Sequence, residues 1–543
     1  MNYKKLAEML FPDNKLSVEE IEKKYPKRNL PKGAQVTRFA PSPTGFMHLG
    51  NFFQAFISAT VARVSNGIFY LRNEDTDKKR EIVGASSYVM KILFDYGIAP
   101  KEYEMKGGVT VGDYGPYYQS ERIEIYKAYA KQLVSEGKAF PCFCDKADGI
   151  AEIKVQREKK FAIGLANDEK DPCRNLTMEQ IEANLKEKKP FAIRLKSCGN
   201  SKNKVEFFDV LKGKISMEEN SKDVVLLKSD SLPTYHFAHA IDDTLMGTTL
   251  VVRGEEWLPS TPVHLEIFNA LGFEKITYLH NPLICIKEGE KKRKVSKRKD
   301  KEFAMKFYAE QGYPTDTICE YIMNLVNSGF EMWRKKNPTL AYTDYYFEPL
   351  NITASSPVLD MDKFNDVSKE IISRYSAQKC YSELLAWARE YSPENAEYLA
   401  RDKEYVTKVL NIDREKPKPR KDIYKWSMFF DLFDYMFGKP ESFEVEDEKK
   451  KDFKEVLKTY KKYLNLSTKE EWFDNIKKMA AVLGYATDNK DFKAAPEKYK
   501  GNVATVCEYI RVAITGRKNS PDLYEIMTLL GEKEVLERLS KFA

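Results

Sequence analysis

A chain of 543 residues holds ~three to five folded units at the usual domain size, which excludes a lone small binding module. Hydrophobic residues at 42%, aromatics at 13% and charged residues at 31% supply several packed cores and exclude a disordered chain. Lysine and arginine outnumber aspartate and glutamate by only 89 to 82, so charge permits a polyanionic partner and placement must decide it.

The start, MNYKKLAEMLFPDNK, lacks the continuous apolar stretch of a secretory signal. No run anywhere approaches the ~20 apolar residues of a bilayer span, so a cytoplasmic protein is expected. Residues 1–33, with Leu6, Met9, Leu10 and Phe11 among charges, read as a leader that packs on the first domain. A strand is expected from Gln35 to Phe39, then a turn rich in Pro, Ser and Gly, then a helix from about His48 to Val64. Along that helix Leu49, Phe52, Phe53, Phe56, Ile57, Val61 and Val64 recur at three- and four-residue spacings and mark a buried face. A second strand, Ile68 to Leu71, follows.

From about residue 78 to 222, helical stretches mix with polar, lysine-rich sequence too long for a loop, which reads as an inserted subdomain. Val224 to Leu227, Thr249 to Val252 and Ile276 to Ile286 are apolar runs of strand length, expected to rejoin one nucleotide-type sheet. Beyond about residue 300 helical spacing takes over. Trp426, Phe429, Phe430, Phe433, Met436 and Phe437 line one face with Gly438 as stop, and Val503, Val506, Cys507, Ile510 and Ile514 line another with Gly516 as stop. Ser520 and Pro521 are expected to cap and open a last helix carrying Leu523, Ile526, Met527 and Leu530, ended by Gly531. Lys416-Pro-Lys-Pro-Arg-Lys421 reads as a stiff basic connector. Eight cysteines, spread from Cys142 to Cys507, are too sparse for a disulfide framework and fit a reducing compartment.

Two segments carry chemistry. Arg38 to Asn51 (RFAPSPTGFMHLGN) joins a strand to a helix start, where backbone N–H groups and the helix dipole favour phosphate. His48 can donate to a phosphate oxygen there, Gly50 leaves room for adenine or ribose, and Asn51 adds a donor. A histidine at a helix start is by itself more often a cap or a surface residue. Lys292 to Lys299 (KRKVSKRK) would ordinarily be a solvated basic loop, yet Ser296 between Lys294 and Lys297 also suits gripping a triphosphate and closing over it.

At these two places the chain resembles class I aminoacyl-tRNA synthetases, with His48-Leu-Gly-Asn51 at their HIGH motif and Lys294-Val-Ser-Lys-Arg298 at their KMSKS motif. RFAPSPTG from Arg38, RNEDTD from Arg72, LPTYHFAHAIDD from Leu232 and VVRGEEWLPSTP from Val251 narrow the resemblance to the glutamyl-tRNA synthetase family of bacterial type. It covers residues 35–350 strongly, and Ile510 to Met527 resembles the family's last helices.

The resemblance implies an α/β Rossmann-like catalytic domain with an inserted acceptor-binding subdomain, followed by an all-helical C-terminal anticodon-binding region. The expected bounds are 34–77 with 223–290 for the catalytic domain, 78–222 for the insert and 291–375 for the lysine loop and stem contacts. Residues 376–470 and 471–543 are expected to form two anticodon-binding subdomains. ATP, Mg²⁺, L-glutamate and tRNA-Glu are implied as cofactors and partners, charging of tRNA-Gln as well is left open as an alternative, and a monomer is usual. His48, Asn51, Lys294, Ser296 and Lys297 are implied as catalytic, with Gly50, Glu256 and Trp257 joining His48 and the lysines at ATP; for Trp257 a core position is as good a reading.

For glutamate, Arg38 and Arg253 offer two guanidinium forks, Glu74 an anion for the ammonium group, and Tyr235 and Ser42 hydroxyls, beside Ala40. By analogy Arg38 takes the side-chain carboxylate and Arg253 with Tyr235 the remaining polar contacts. Each arginine taken alone is more often a surface ion-pair partner. His239 stands where the family often carries asparagine, and its imidazole would hydrogen-bond when neutral and add a cation when charged.

Cys142-Phe-Cys144 with Cys173 resembles the zinc-binding knob of some members, but Glu169 and Asn175 stand where a fourth ligand is sought, so free buried thiols are preferred and no metal is assigned. Glutaminyl-tRNA synthetase usually carries a β-barrel anticodon region, against the helical pattern here. A shorter tRNA-modifying relative lacks the C-terminal domains, and a non-catalytic paralogue would have lost one of the two motifs.

Overall fold

The computed structural model describes residues 1–144, 171–295, 299–442 and 445–542. They form two compact units, one of Met1–Met305 with Cys319–Asp360 and one of Lys306–Ile318 with Met361–Ala543.

In the first unit, strand Val36–Phe39 pairs in parallel with Ile68–Leu71, and helix Leu49–Val64 connects them. The second strand sits at its expected bounds, the first starts one residue later than expected, at Val36, and the helix begins one residue after His48, which caps it. Strand Leu250–Gly254 pairs in parallel with Thr277–Asn281. Thr249 N donates to Val36 O at 3.0 Å, so the two pairs lie side by side. Lys204–Asp209 joins the second pair through Tyr278 opposite Asp209 and turns back antiparallel as Gly213–Glu218.

The run expected at Val224 to Leu227 is a strand, Val225–Leu227, but it does not enter the parallel sheet. It pairs antiparallel with Ala192–Leu195, which pairs with Ala139–Cys142. A short apolar run announces a buried strand without naming its neighbour, and here the neighbours come from the preceding hundred residues or so.

The leader forms helices Tyr3–Leu10 and Val18–Lys24. Leu6, Leu10, Phe11 and Ile21 enter the same core as Tyr126 and Leu133 of helix Ile123–Ser135. Arg28 then closes a two-bond pair with Glu102 at 2.6 and 2.7 Å.

The second unit is helical, with one apolar core running from Ile372 to Phe542. The expected helices appear as Phe429–Phe437 before Gly438 and Val503–Thr515 before Gly516, the latter glycine left-handed at φ 71°. The last expected cap moves: Asp522, not Ser520, caps helix Leu523–Leu530. No helix among the described residues is long and apolar enough to cross a membrane.

Candidate active site

A cleft of about 250 Å³ opens where the parallel strands end, the position at which open α/β sheets bind ligands. The end of the first strand gives Arg38, the loop after it Ala40 and Ser42, the helix start His48 and Asn51, and the turn after Ile68–Leu71 gives Glu74. Tyr235, Arg253, Glu256 and Trp257 close the opposite wall. Of the residues singled out in the sequence, these ten share one cavity.

His48 earns its place through its backbone role. Its Nδ1 accepts from Asn51 N at 3.2 Å, which leaves Nε2 to carry the proton of the neutral ring. The ring stacks on Phe303 with centroids 4.7 Å apart. A Cβ at Gly50 would meet Phe303 at 3.1 Å and His48 at 3.2 Å, so a side chain there would press on the ring stack.

The two forks are built differently. Arg38, 4% exposed, directs Nε to Asp243 Oδ1 at 3.2 Å and Nη1 to Val252 O at 3.2 Å, and among the described residues none takes a hydrogen bond from its Nη2. Asp243 is shared: Arg72 Nη1 donates to it at 2.7 Å and reaches Glu74 with Nη2 at 3.0 Å. Burial works against charge on Asp243, but Arg38 and Arg72 outweigh it and hold the carboxyl well below its usual range. Burial pushes the Glu74 carboxyl up, against the pull of Arg72 and Arg38. Arg253 has no carboxylate partner among the described residues. Its bonds go to His280 Nε2 at 2.9 Å, His264 Nδ1 at 3.1 Å, Thr261 Oγ1 at 2.9 Å and, weakly, the Tyr235 hydroxyl at 3.4 Å.

His239 is not in the cleft wall. It is fully buried, with Nδ1 on Asp243 Oδ2 at 2.5 Å and Nε2 on the Tyr278 hydroxyl at 2.9 Å, so it braces the acid behind Arg38. Burial lowers its pKa to about 4 despite Asp243, which makes it a neutral ring donating through Nδ1. Trp257 is 37% exposed with its ring 4.4 Å from that of Tyr235, which removes the core reading and leaves an aromatic face at the cleft rim.

Lys294 ends strand Lys291–Lys294 and is exposed, outside the cleft wall. Ser296 and Lys297 lie outside the described residues. On either side of them, Arg293 holds Asp300 through two bonds of 2.7 Å.

Cys142, Cys144 and Cys173 do converge, and the fourth group is Asp171. The four ligand atoms lie within 4.8 Å of one another, with Cys142 Sγ 2.9 Å from Cys144 Sγ and 3.4 Å from Asp171 Oδ2. Asn175 is not among them, and Glu169 lies outside the described residues. Burial pushes the Cys142 thiol up to about 11, and its neighbour Cys144 adds to this.

Residues 35–338 match the family of class I tRNA synthetases (E and Q), catalytic domain, and residues 381–543 match the anticodon binding domain family. The chain belongs to the class I tRNA synthetases. It is 43% identical over 553 residues to a glutamate–tRNA ligase of Clostridium perfringens strain SM101, with all of both chains covered. A glutamate–tRNA ligase of Acetivibrio thermocellus is 42% identical, again over the whole of both chains. Among solved structures, a glutamate tRNA ligase from Elizabethkingia meningosepticum in complex with its amino acid aligns at a TM-score of 0.73 and 25% identity, over 94% of this chain and 99% of that one.

Against this synthetase fold, the residues that sequence reading passed over are those behind the wall: Asp243, His264, His280 with Asp209, and Phe303. A signal existed for some of them. Asp243 stands four residues after His239, one helical turn on, and all five histidines of the chain are at or directly behind the cleft.

Proposed function

We propose that the chain is a glutamate–tRNA ligase that forms glutamyl-adenylate from L-glutamate and ATP and passes the glutamyl group to the 2′-hydroxyl of the terminal adenosine of tRNA-Glu. The observation that carries this reading is the pairing in one cleft of a phosphate-suited helix start with two guanidinium forks, one of them without a carboxylate partner among the described residues. An α-carboxylate oxygen of glutamate attacks the ATP α-phosphorus and pyrophosphate leaves; the tRNA hydroxyl then attacks the carbonyl carbon, and AMP leaves. No side-chain nucleophile is needed, so the work falls to alignment and to stabilising charge on the phosphates.

His48 Nε2–H and the N–H groups at the start of its helix serve the phosphates, with Lys294 and Lys297 arriving as the loop closes. Arg253 and the Nη2 of Arg38 take carboxylates, and Tyr235 with Trp257 flank the pocket. Magnesium bound with ATP neutralises phosphate charge. Because Glu74 is tied to Arg72 and Glu256 stands at the rim, the donor set suits an ion held mostly by phosphate oxygens.

The three cysteines and Asp171, the last with Arg194 Nε 3.1 Å away, form a donor set that suits zinc, which would need the thiols deprotonated. Metal analysis of the purified protein is expected to find one zinc per chain, lost in Cys142→Ser. The subdomain 78–222 receives the acceptor end, the helices of residues 376–543 meet the anticodon, and the enzyme acts as a cytoplasmic monomer.

The deciding experiment supplies purified protein with ATP, glutamate or glutamine, and tRNA-Glu or tRNA-Gln. Glutamate attachment to tRNA-Glu is expected, with pyrophosphate exchange nearly absent until tRNA is added. Glutamine attachment instead would overturn the reading, and glutamate on tRNA-Gln would widen its acceptor range.

A further inference from the structure

Arg253 is 3% exposed and carries five N–H donors, yet each group it touches is a neutral acceptor. A guanidinium can only donate, so the ring nitrogens facing it, His280 Nε2 and His264 Nδ1, are both unprotonated. The other nitrogens then carry the protons. His280 Nδ1–H donates to Asp209 Oδ2 at 2.7 Å, and His264 Nε2–H donates to His236 Nδ1 at 2.9 Å. Asp209 is itself saturated by the backbone N–H groups of Leu211, Lys212 and His280. The Tyr278 ring covers one face of the guanidinium at 4.5 Å. The fork is therefore fixed in position on three sides, with no carboxylate paired to it among the described residues and Asp209 kept one imidazole away behind His280.

We propose that His264 and His280 are specificity-determining positioning residues: they hold the Arg253 guanidinium rigid without neutralising it, so that a carboxylate of the amino-acid substrate becomes its ion-pair partner. The contrast is Arg38, whose charge is already met by Asp243. An acid in direct contact with Arg253 would compete with the substrate carboxylate for the same donors, whereas an imidazole orders the donors and leaves the charge. The inference rests on the reading of the chain as a glutamate–tRNA ligase.

The test compares His264→Glu with His264→Gln in the full-length protein, assayed by aminoacylation with glutamate, ATP and tRNA-Glu. His264→Glu, which gives Arg253 its own carboxylate, is expected to raise KM for glutamate ~30- to 100-fold while KM for ATP moves less than ~threefold. Its melting temperature should hold or rise, because a buried cation gains a counter-ion. His264→Gln retains an acceptor oxygen and is expected to stay within ~fivefold of the parent in KM for glutamate. An unchanged glutamate KM in His264→Glu, or an equal loss in His264→Gln, overturns the proposal.

Should His264→Glu fail to fold, nitrogen-15 spectra of the histidines in the unsubstituted protein decide the matter. His264 must appear as the Nε2–H tautomer and His280 as the Nδ1–H tautomer at neutral pH, and an imidazolium or the opposite tautomer at either position overturns the cradle. If the unsubstituted protein attaches no glutamate to tRNA, the functional reading fails, and the spectra still report on the cradle separately.

Discussion

Asp243 has no exposed surface and takes hydrogen bonds from Arg38, Arg72, Tyr70, Thr248 and His239. Burial holds His239 neutral in that arrangement, and the cost appears as a pH dependence. Burial, aided by Arg253, brings His236 to about 4, and burial brings His239 to about 4 against the pull of Asp243. Both folded values lie below the ordinary ~6.5, so as pH falls through ~6.5 the unfolded chain takes up protons that the folded chain refuses. Stability is thus full above ~6.5 and declines towards about 4, by ~1.4 kcal/mol per pH unit for each histidine. Glu74, pushed up by burial, opposes this at the acid end. Urea midpoints measured across the window should fall with pH, and His239→Asn should flatten the slope by one histidine's share; an equal slope in that variant would disprove the neutral brace. A turn of helix separates His239 from Asp243 in the sequence, but that Tyr278 would arrive from another strand to take its second nitrogen is a long-range fact that no local pattern carries.

Helix ends and loop stems are legible when one residue has one job, and misread when a neighbour does it better. Ser520 has the side chain of a cap, yet its Oγ bonds Pro521 O at 2.9 Å, while Asp522 Oδ1 accepts from Glu525 N at 3.1 Å and Oδ2 pairs with Lys416 and Lys469. A charged cap at the positive end of a helix outcompetes a hydroxyl. Asp522→Ala should therefore cost ~1–2 kcal/mol in urea denaturation and Ser520→Ala less than ~0.5 kcal/mol, and equal losses would return the cap to Ser520. The strands Val36–Phe39 and Ile68–Leu71 and the helix between them were readable because apolar residues recur along each and a turn with Pro41, Pro43 and Gly45 separates the first strand from the helix. The lysine motif was readable in the sequence, but not the Arg293–Asp300 fork that joins its flanks. Under the proposed roles of the lysines and of the two arginines, Arg293→Ala is expected to lower kcat ~10- to 100-fold with KM for glutamate little changed. Steady-state aminoacylation reads that split directly, and a rise in glutamate KM alone would assign the fork to the pocket instead.

At the level of the whole chain, the path passes between the two units three times, because Lys306–Ile318 belongs with Met361–Ala543 while Cys319–Asp360 returns to the first unit. Composition gives no hint of this, and a boundary drawn near residue 376 cuts away both helix Met361–Arg374 and the segment that covers it. That segment is closely fitted. Tyr308 and Tyr313 pack on Phe364 with centroids 5.0 and 4.9 Å away, Tyr313 donates to Asn365 Oδ1 at 2.8 Å, and Trp387 Nε1 donates to Glu310 O at 3.0 Å. Gly312 sits at φ 74°, and a Cβ there would lie 2.9 Å from both Trp387 and Trp426. In the full chain Gly312→Ala should destabilise the helical unit, by strain and by contact together, by ~2–3 kcal/mol. The stronger test uses fragments. Residues 361–543 alone should fold with a urea stability lower by ~3 kcal/mol or more than the same unit in the full chain, since Phe364 and Trp387 lose their cover. A synthetic peptide of residues 306–318 should restore part of that stability in a concentration-dependent way, and the same peptide with Gly312→Ala should not. A fragment of residues 376–543 as stable as 361–543, and indifferent to the peptide, would mean that the first helix and its cover contribute nothing to the core that begins at Ile372.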